Sequence, residues 1–135
     1  MTGISLLAVP AEFVDRYWPA IDAELQVIAA RCAERWTPAD VLAEIRSGDA
    51  TLTIAFDAGD AIGFMVYQIA STSYSKALHI WVAGGGTLER MKEFWPLIRD
   101  IGKRKGCNEI SFESPRRWGS ALKFLEVRYL YREGV

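Results

Sequence analysis

The spacing of hydrophobic residues predicts an alternation of short strands and amphipathic helices. An apolar run over Ile4–Val9 predicts a first strand. Apolar residues three or four positions apart then predict two helical pieces, about Glu12–Tyr17 and Pro19–Arg35. The division falls at Pro19, because proline lacks a backbone N–H and its ring clashes with the preceding helical turn.

The next segment carries the signals that start and stop a helix. The side chain of Thr37 can cap the helix, Pro38 suits the first helical position, and Asp40 completes a box-like pattern in the first turn. Gly48 then predicts the stop. We therefore expect a short helix between Pro38 and Gly48.

Three strands are predicted to follow, joined by turns. Their expected bounds are Thr51–Phe56, Ala61–Ala70 and Lys76–Ala83. The residues of Asp57–Asp60 are those that a hairpin loop prefers. Because both faces of Ala61–Ala70 are largely apolar, this strand is expected in the centre of a sheet covered on each side.

The remaining pattern predicts a helix, a strand, a helix and a strand. The first helix follows three glycines and is expected to kink or restart at Pro96. Its apolar stripe comprises Leu88, Met91, Trp95, Ile98 and Ile101. The last three elements are expected at Asn108–Phe112, Arg116–Glu126 and Val127–Arg132. The order β-α-α-β-β-β-α-β-α-β predicts an α+β fold with a mixed central sheet flanked by helices.

Composition limits the class of protein without naming a function. The 135 residues are expected to form a single domain, residues 1–135, and half of them are hydrophobic. A net charge of −1 provides no field that attracts nucleic acid or an anionic membrane. Cys32 and Cys107 lack metal-ligand spacing, and no signal peptide is recognised, so a cytoplasmic protein with reduced thiols and no metal is expected.

The glycines at 84–86 are the most informative stretch. A strand that feeds a helix through glycines can direct free backbone N–H groups at an anion such as a phosphate. A flexible connector between two packed elements is the alternative interpretation. The local pattern leaves both open.

The element order, with glycines between the third hairpin strand and its crossover helix, resembles the GNAT superfamily of acyl-CoA-dependent N-acyltransferases. Four passages carry the resemblance: "DAIGFMVYQ", "LHIWVAGGG", "GKRKGCNEISFES" and "ALKFLEVRYLYRE". The resemblance implies acetyl-CoA, or another acyl-CoA, as cofactor. By it, Val82 and Ala83 would pair with the pantetheine arm, while Gly84, Gly85, Gly86 and Thr87 would approach the pyrophosphate.

The chain departs from the family pattern at the glycine turn and in its closing segment. The turn is shorter than usual and has no adjacent arginine or glutamine. The family's proton-donating tyrosine aligns with Phe124 or Leu125, which cannot donate a proton. These departures favour a second hypothesis, a GNAT-fold structural or partner-binding protein without activity, such as a phage virion or accessory protein.

Acyl transfer to an amine needs a base and a proton donor. His79, the only histidine, lies on the strand expected to carry the thioester and is the candidate base. Tyr74 is the candidate proton donor. The alternatives are a half-buried, hydrogen-bonded histidine and a tyrosine that fills the core. The acceptor would be a small-molecule or protein amine if the chain is an enzyme, and self-association stays open.

Four further side chains are candidates for contact with the acceptor or the CoA phosphates. For each of them, a solvated or packed side chain is the alternative interpretation. The four side chains are Tyr67, Glu113, Arg116 and Arg117. Tyr17, Trp18 and Trp36 are predicted either to line an acceptor cleft or to pack against the sheet.

Overall fold

The computed structural model describes residues 3–32 and 36–112, without the side chains of residues 31 and 32. The predicted elements Arg116–Glu126 and Val127–Arg132 lie outside the described residues, as do Glu113, Arg116 and Arg117.

Five described strands form one mixed sheet in the order β1-β2-β3-β4-β5. Their bounds are Ile4–Val9 (β1), Thr51–Asp57 (β2), Asp60–Ser71 (β3), Lys76–Gly85 (β4) and Glu109–Phe112 (β5). The first four strands are antiparallel neighbours, and β5 lies parallel to β4. The predicted α+β fold with a mixed sheet is confirmed.

The N-terminal helices follow the predicted signals closely. A 3₁₀ helix spans Ala11–Arg16, α1 spans Trp18–Cys32 and α2 spans Pro38–Ser47. The predicted capping box of α2 is present, because the hydroxyl of Thr37 accepts from the N–H of Asp40 and the Asp40 carboxylate accepts from the N–H of Thr37. Gly48 ends α2 with a φ of 86°.

Each face of the sheet is covered by its own core. One face packs against the 3₁₀ helix, α1 and α2; its buried strand residues include Leu52, Ile54, Phe64, Val66 and Val82. The other face packs against the helix that follows β4; its buried residues include Met65, Leu78, Ile80, Phe94 and Ile98. We call these the α1/α2 face and the α4 face.

The helix after β4 differs from its prediction. A single turn, α3 (Gly86–Glu89), is separated by Arg90 from α4 (Met91–Arg104). Helix α4 continues through Pro96, so the predicted restart there is wrong, and the break lies at Arg90 instead. The alternative, a kink at Pro96, stays a prediction. Pro96 lies on the exposed side of α4, where the missing N–H leaves its acceptor to water. Four residues of the predicted apolar stripe, Met91, Trp95, Ile98 and Ile101, are buried in the α4-face core, whereas Leu88 on α3 is half-buried.

Strand β4 continues two residues beyond its predicted end at Ala83. Gly84 pairs with Phe64 and Gly85 pairs with Gly63, so two of the three glycines belong to the sheet. Only Gly86 begins the following helix. Their conformation is therefore fixed by pairing with β3 and does not form an open loop.

The start of β4 is joined to the start of β5. The side-chain oxygen of Asn108 accepts from the N–H of Lys76, and the N–H of Asn108 donates to the Lys76 carbonyl. No helix among residues 3–32 and 36–112 has the length and apolar content needed to cross a membrane.

Candidate functional site

A β-bulge lies in the middle of β4. Tyr67 pairs with Ile80 and Val66 pairs with Val82, so Trp81 is an extra residue without a partner on β3. Trp81 and Val82 both pack on the α1/α2 face. Because a bulge bends a strand and increases its twist, β4 changes direction at Trp81.

The described pairing of β4 with β5 covers the part of β4 that precedes the bulge. The parallel register runs from Ala77 opposite Glu109 to Ile80 opposite Phe112, which is the last described residue of β5. Within the described part of the chain, Val82–Gly85 pair with β3 alone and Trp81 has no partner in the sheet. An extended ligand that paired with such a segment would add a strand to the sheet.

The glycines at the end of β4 are crowded by the protein's own atoms. A Cβ on Gly84 would lie 2.6 Å from Cε1 of Phe64, and one on Gly85 would lie 2.8 Å from the carbonyl oxygen of Ile62. Gly85 also has a φ of 62°, which L side chains rarely adopt. On β3, a Cβ on Gly63 would lie 2.5 Å from the carbonyl oxygen of Gly84. Internal packing is sufficient to explain why these positions are glycine.

Thr87 is enclosed beneath this crossing. Its side chain is fully buried, and its hydroxyl has no hydrogen-bond partner among the residues the structure describes. The Thr87 N–H lies against Gly63, whose Cβ would be only 2.6 Å from the Thr87 nitrogen. An unpaired buried hydroxyl is destabilising, so Thr87 lowers the free energy of unfolding.

Glu24 of α1 reaches the end of β4, which sequence reasoning missed. Its Oε1 lies 2.8 Å from the Cβ position of Gly84 and 3.6 Å from that of Gly85. The side chain is half-buried. No hydrogen bond or ion pair joins its carboxylate to another described residue. Only the missing side chain at position 84 could have signalled this approach, and the sequence alone does not say which residue fills the space.

His79 lies on the α1/α2 face, since its neighbours Leu78 and Ile80 are buried on the other face. It is half-buried, and its Nδ1 is 2.9 Å from Oγ of Ser111 on β5. The structure therefore contains the hydrogen-bonded histidine of the alternative interpretation. A hydrogen bond of this kind also orients an imidazole for proton transfer, so the role of His79 as a base stays a prediction.

Tyr74 is far from the glycine end of β4. It lies in the β3–β4 turn and is 95% exposed. At about 3.3 Å per residue, the length of β4 separates it from Gly85 by roughly 30 Å. The structure does not bring Tyr74 together with the predicted cofactor residues. Tyr67, the other tyrosine considered, is buried in the α4-face core.

Arg90 is the basic side chain nearest to the glycines in sequence, and it is already paired. Its guanidinium donates to Asp57 at 2.6 Å and to both carboxylate oxygens of Glu93 at 2.6 and 2.9 Å. The hydrogen bond from Arg90 holds the pKa of Glu93 below its ordinary value. The arginine thus ties the β2–β3 turn to the start of α4.

Aromatic side chains line the α1/α2 face beside the bulge. The rings of Trp36 and Trp81 meet edge to face with centroids 6.2 Å apart. Tyr17 and Trp18 also pack against this core, and all four side chains are half-buried. Both predicted roles, packing and cleft lining, remain compatible with that partial exposure.

A pocket elsewhere on the described surface is unrelated to the predicted site. A shallow depression of about 290 Å³ lies at the opposite edge of the sheet, between β1 and the end of α2, and contains none of the predicted site residues. Among residues 3–32 and 36–112, no group of three histidine, cysteine, aspartate or glutamate side chains could hold a metal ion.

Known proteins resemble this chain in structure but not detectably in sequence. No family model and no curated protein matches the sequence. Solved structures do match. One is an aminoglycoside acetyltransferase from an uncultured soil metagenomic sample, in complex with sisomicin, with a TM-score of 0.64 and 10% identity over 98% of this chain and 96% of that chain. The chain has the GNAT fold.

Two further structures agree. Aminoglycoside N-acetyltransferase AAC(6')-Iy in complex with CoA has a TM-score of 0.63 and 15% identity over 98% of this chain and 96% of that chain. Ribosomal-protein-alanine N-acetyltransferase from Brucella melitensis biovar Abortus 2308 has a TM-score of 0.63 and 11% identity over 98% and 97%. The predicted GNAT fold is confirmed. The predicted phage origin and the site residues remain predictions, because no comparison bears on them.

Proposed function

We propose that this protein is an acyl-CoA-dependent N-acyltransferase that transfers an acyl group, such as acetyl, to an amine. The observation that carries the proposal is the β-bulge at Trp81, which divides β4 into two parts. Among described residues, the part from Val82 to Gly85 pairs with β3 and with no residue of β5, and it leads into the start of α3. The similarity to acetyltransferase structures supports the same conclusion.

In this proposal the pantetheine arm pairs with Val82 and Ala83 as a short extra strand. The pyrophosphate lies against backbone N–H groups of Gly84, Gly85, Gly86 and Thr87. Because like charges repel, the phosphates take the side of the turn away from the carboxylate of Glu24. Arg90 makes no contact with the phosphates, since Asp57 and Glu93 occupy its guanidinium.

An arm that starts at the turn and runs back along β4 carries the thioester toward the bulge. His79, on the next part of the strand, is the proposed base, directly or through a water molecule. It removes a proton from the acceptor ammonium so that the amine nitrogen can attack the thioester carbon. The carbon–sulfur bond then breaks, the nitrogen gives up its extra proton to solvent as the amide forms, and the thiolate takes a proton from solvent. We omit Tyr74 from this scheme because of its distance.

A second function is supported by the packing around the glycines. Since Ile62 and Phe64 alone require glycine at positions 84–86, these residues would persist in a protein that binds no cofactor. The second candidate is therefore a GNAT-fold partner-binding protein without turnover, and a virion component is one form of it.

Titration with acetyl-CoA separates the two candidates. Calorimetry should show saturable binding, and a ligand at 100 times its Kd should raise the free energy of unfolding by about 2.7 kcal/mol. Adenosine, which lacks the pyrophosphate and the pantetheine arm, serves as the ligand control. Absence of heat and of a thermal shift at millimolar acetyl-CoA would leave only the second candidate.

A further inference from the structure

The carboxylate of Glu24 is an unusual feature of the α1/α2 face. It is half-buried, it contacts the backbone at Gly84, and no described cation pairs with it. A carboxylate that loses part of its hydration needs a compensating partner. Other acidic side chains do have a cationic partner, as in the pair of Asp15 with Arg46.

The space that Glu24 occupies exists only because position 84 is glycine. A Cβ there would lie 2.8 Å from Oε1 and would displace the carboxylate from the strand. The ring of Phe64, which is 2% exposed, closes the other side of the same point. The negative charge is therefore held at the end of β4, in a fixed position and partly shielded from solvent.

A second feature of this face is an aromatic surface. The half-buried pair of Trp36 and Trp81 lies on the same face of the sheet as Glu24. Three strand positions separate Trp81 from Gly84, or about 10 Å along β4. Indole faces attract ammonium groups and cover the alkyl stems that carry them.

We propose that the carboxylate of Glu24 binds an ammonium group of a cationic amine, whose alkyl part lies against Trp36 and Trp81. This inference rests on the proposed function only in identifying that amine as the acyl acceptor. The class of ligand is an organic amine with at least one positively charged nitrogen at neutral pH.

The test uses the full chain and the probe 1,6-diaminohexane, with uncharged 1,6-hexanediol as the matched ligand. Chemical-shift titration should show diamine binding to the wild type, perturbing the Gly84 and Gly85 amides and the Trp81 indole N–H. The diol should bind at least 10-fold more weakly, because it cannot make a charge-assisted hydrogen bond.

Glu24→Gln retains the shape of the side chain and removes its charge. It should weaken diamine binding about 10-fold. Glu12→Gln, a matched loss of one exposed carboxylate on the 3₁₀ helix, should leave binding unchanged. Weakening of wild-type diamine binding by added salt provides a readout that does not depend on how well the variant folds.

The outcomes distinguish this inference from the proposed function. Diamine binding that Glu24→Gln weakens, in a chain that does not bind acetyl-CoA, supports the cation site and contradicts the acyltransferase. Equal binding of the diamine by wild type and Glu24→Gln overturns the inference. So does a Glu24→Gln variant that binds acetyl-CoA more tightly with unchanged diamine affinity, because Glu24 would then face the phosphates.

Discussion

The two halves of β4 are stabilised by different interactions. From Ala77 to Ile80 the strand is paired on both sides, Leu78 and Ile80 are buried in the α4-face core, and Nδ1 of His79 lies 2.9 Å from Oγ of Ser111. From Trp81 to Gly85 the strand is bulged and rich in glycine, and its described partners from Val82 onward all lie on β3. The first half is held by side-chain packing, and the second by the close approach of backbones.

The largest effect is expected at Gly63, which packs against the second half of β4. Gly63→Ala should lower the free energy of unfolding by about 3 kcal/mol, because its Cβ would lie 2.5 Å from the carbonyl oxygen of Gly84. Gly102→Ala in α4 is the matched control. Its nearest neighbour would be 3.8 Å away, and alanine favours helix, so its stability should be unchanged or higher. Similar denaturation midpoints for both variants would contradict the crowding argument.

The chemical role of the first half depends on His79. His79→Gln should reduce acyl transfer about 100-fold or more while retaining acetyl-CoA affinity, as expected for loss of a general base. Thiol release measured with a chromogenic reagent reports the rate. Ser111→Ala, which removes only the contact to Nδ1, should cost about fivefold. Full activity of His79→Gln would assign the histidine to packing alone.

The bulge is what separates the two halves, so its removal should merge them. Deleting Trp81 leaves the pairs Val66–Val82 and Tyr67–Ile80 in register. If β4 then stays beside β5, two backbone hydrogen bonds to the pantetheine arm are lost, at about 1 kcal/mol each, and acetyl-CoA affinity falls 10-fold or more. Trp81→Leu keeps the backbone and is the control. Equal affinities of the two variants would show that the bulge does not form the site.

Thr87 is buried just beyond the end of the second half of β4, and its unpaired hydroxyl should lower the free energy of unfolding. Thr87→Val replaces the unpaired buried hydroxyl by a methyl group of similar volume. The free energy of unfolding should rise by about 1 kcal/mol, because an unsatisfied buried polar group is removed. A lower free energy of unfolding for Thr87→Val, measured by urea denaturation, would indicate that the hydroxyl has a hydrogen-bond partner in solution.

The smallest effect is expected at Arg90. The pKa of Glu93 is lowered by its hydrogen bond to Arg90, so this stabilisation is present above the ordinary glutamate pKa of 4.5 and is lost as the pH falls through the lower folded value. The difference in Tm between wild type and Arg90→Met should therefore shrink on acidification from neutral pH. Arg46→Met, which breaks only an exposed pair with Asp15, should show a smaller difference at pH 7.

Local patterns predicted the first half of β4 and most of the fold. Apolar runs bounded by turn residues located β1 to β4, and the Thr37–Asp40 box located the start of α2 to the residue. Such features depend on neighbouring residues, which the sequence displays directly. The GNAT resemblance, stated from four short passages, was confirmed at the level of the fold.

The second half of β4 was predicted less well, for a physical reason. Whether Gly84 belongs to a loop or a strand depends on Phe64 and Glu24, which are 20 and 60 residues away in the sequence. The position of Pro96 on the exposed side of α4 likewise depends on how the helix packs. The conformation of Gly84 and the exposure of Pro96 both depend on long-range contacts, which cannot be inferred from a single sequence.

The parallel pairing of β4 with β5 also determines the order in which the protein assembles. Strands β2, β3 and β4 are joined by short turns, whereas β5 reaches Ala77 only after α3 and α4 have crossed the sheet. Closing that longer loop costs more chain entropy, so β5 should join a preformed meander. A nascent chain would then acquire most of its sheet before it acquires the contact between Ser111 and His79. Pulse-labelling of amide protons during refolding should show β2 and β3 protected first.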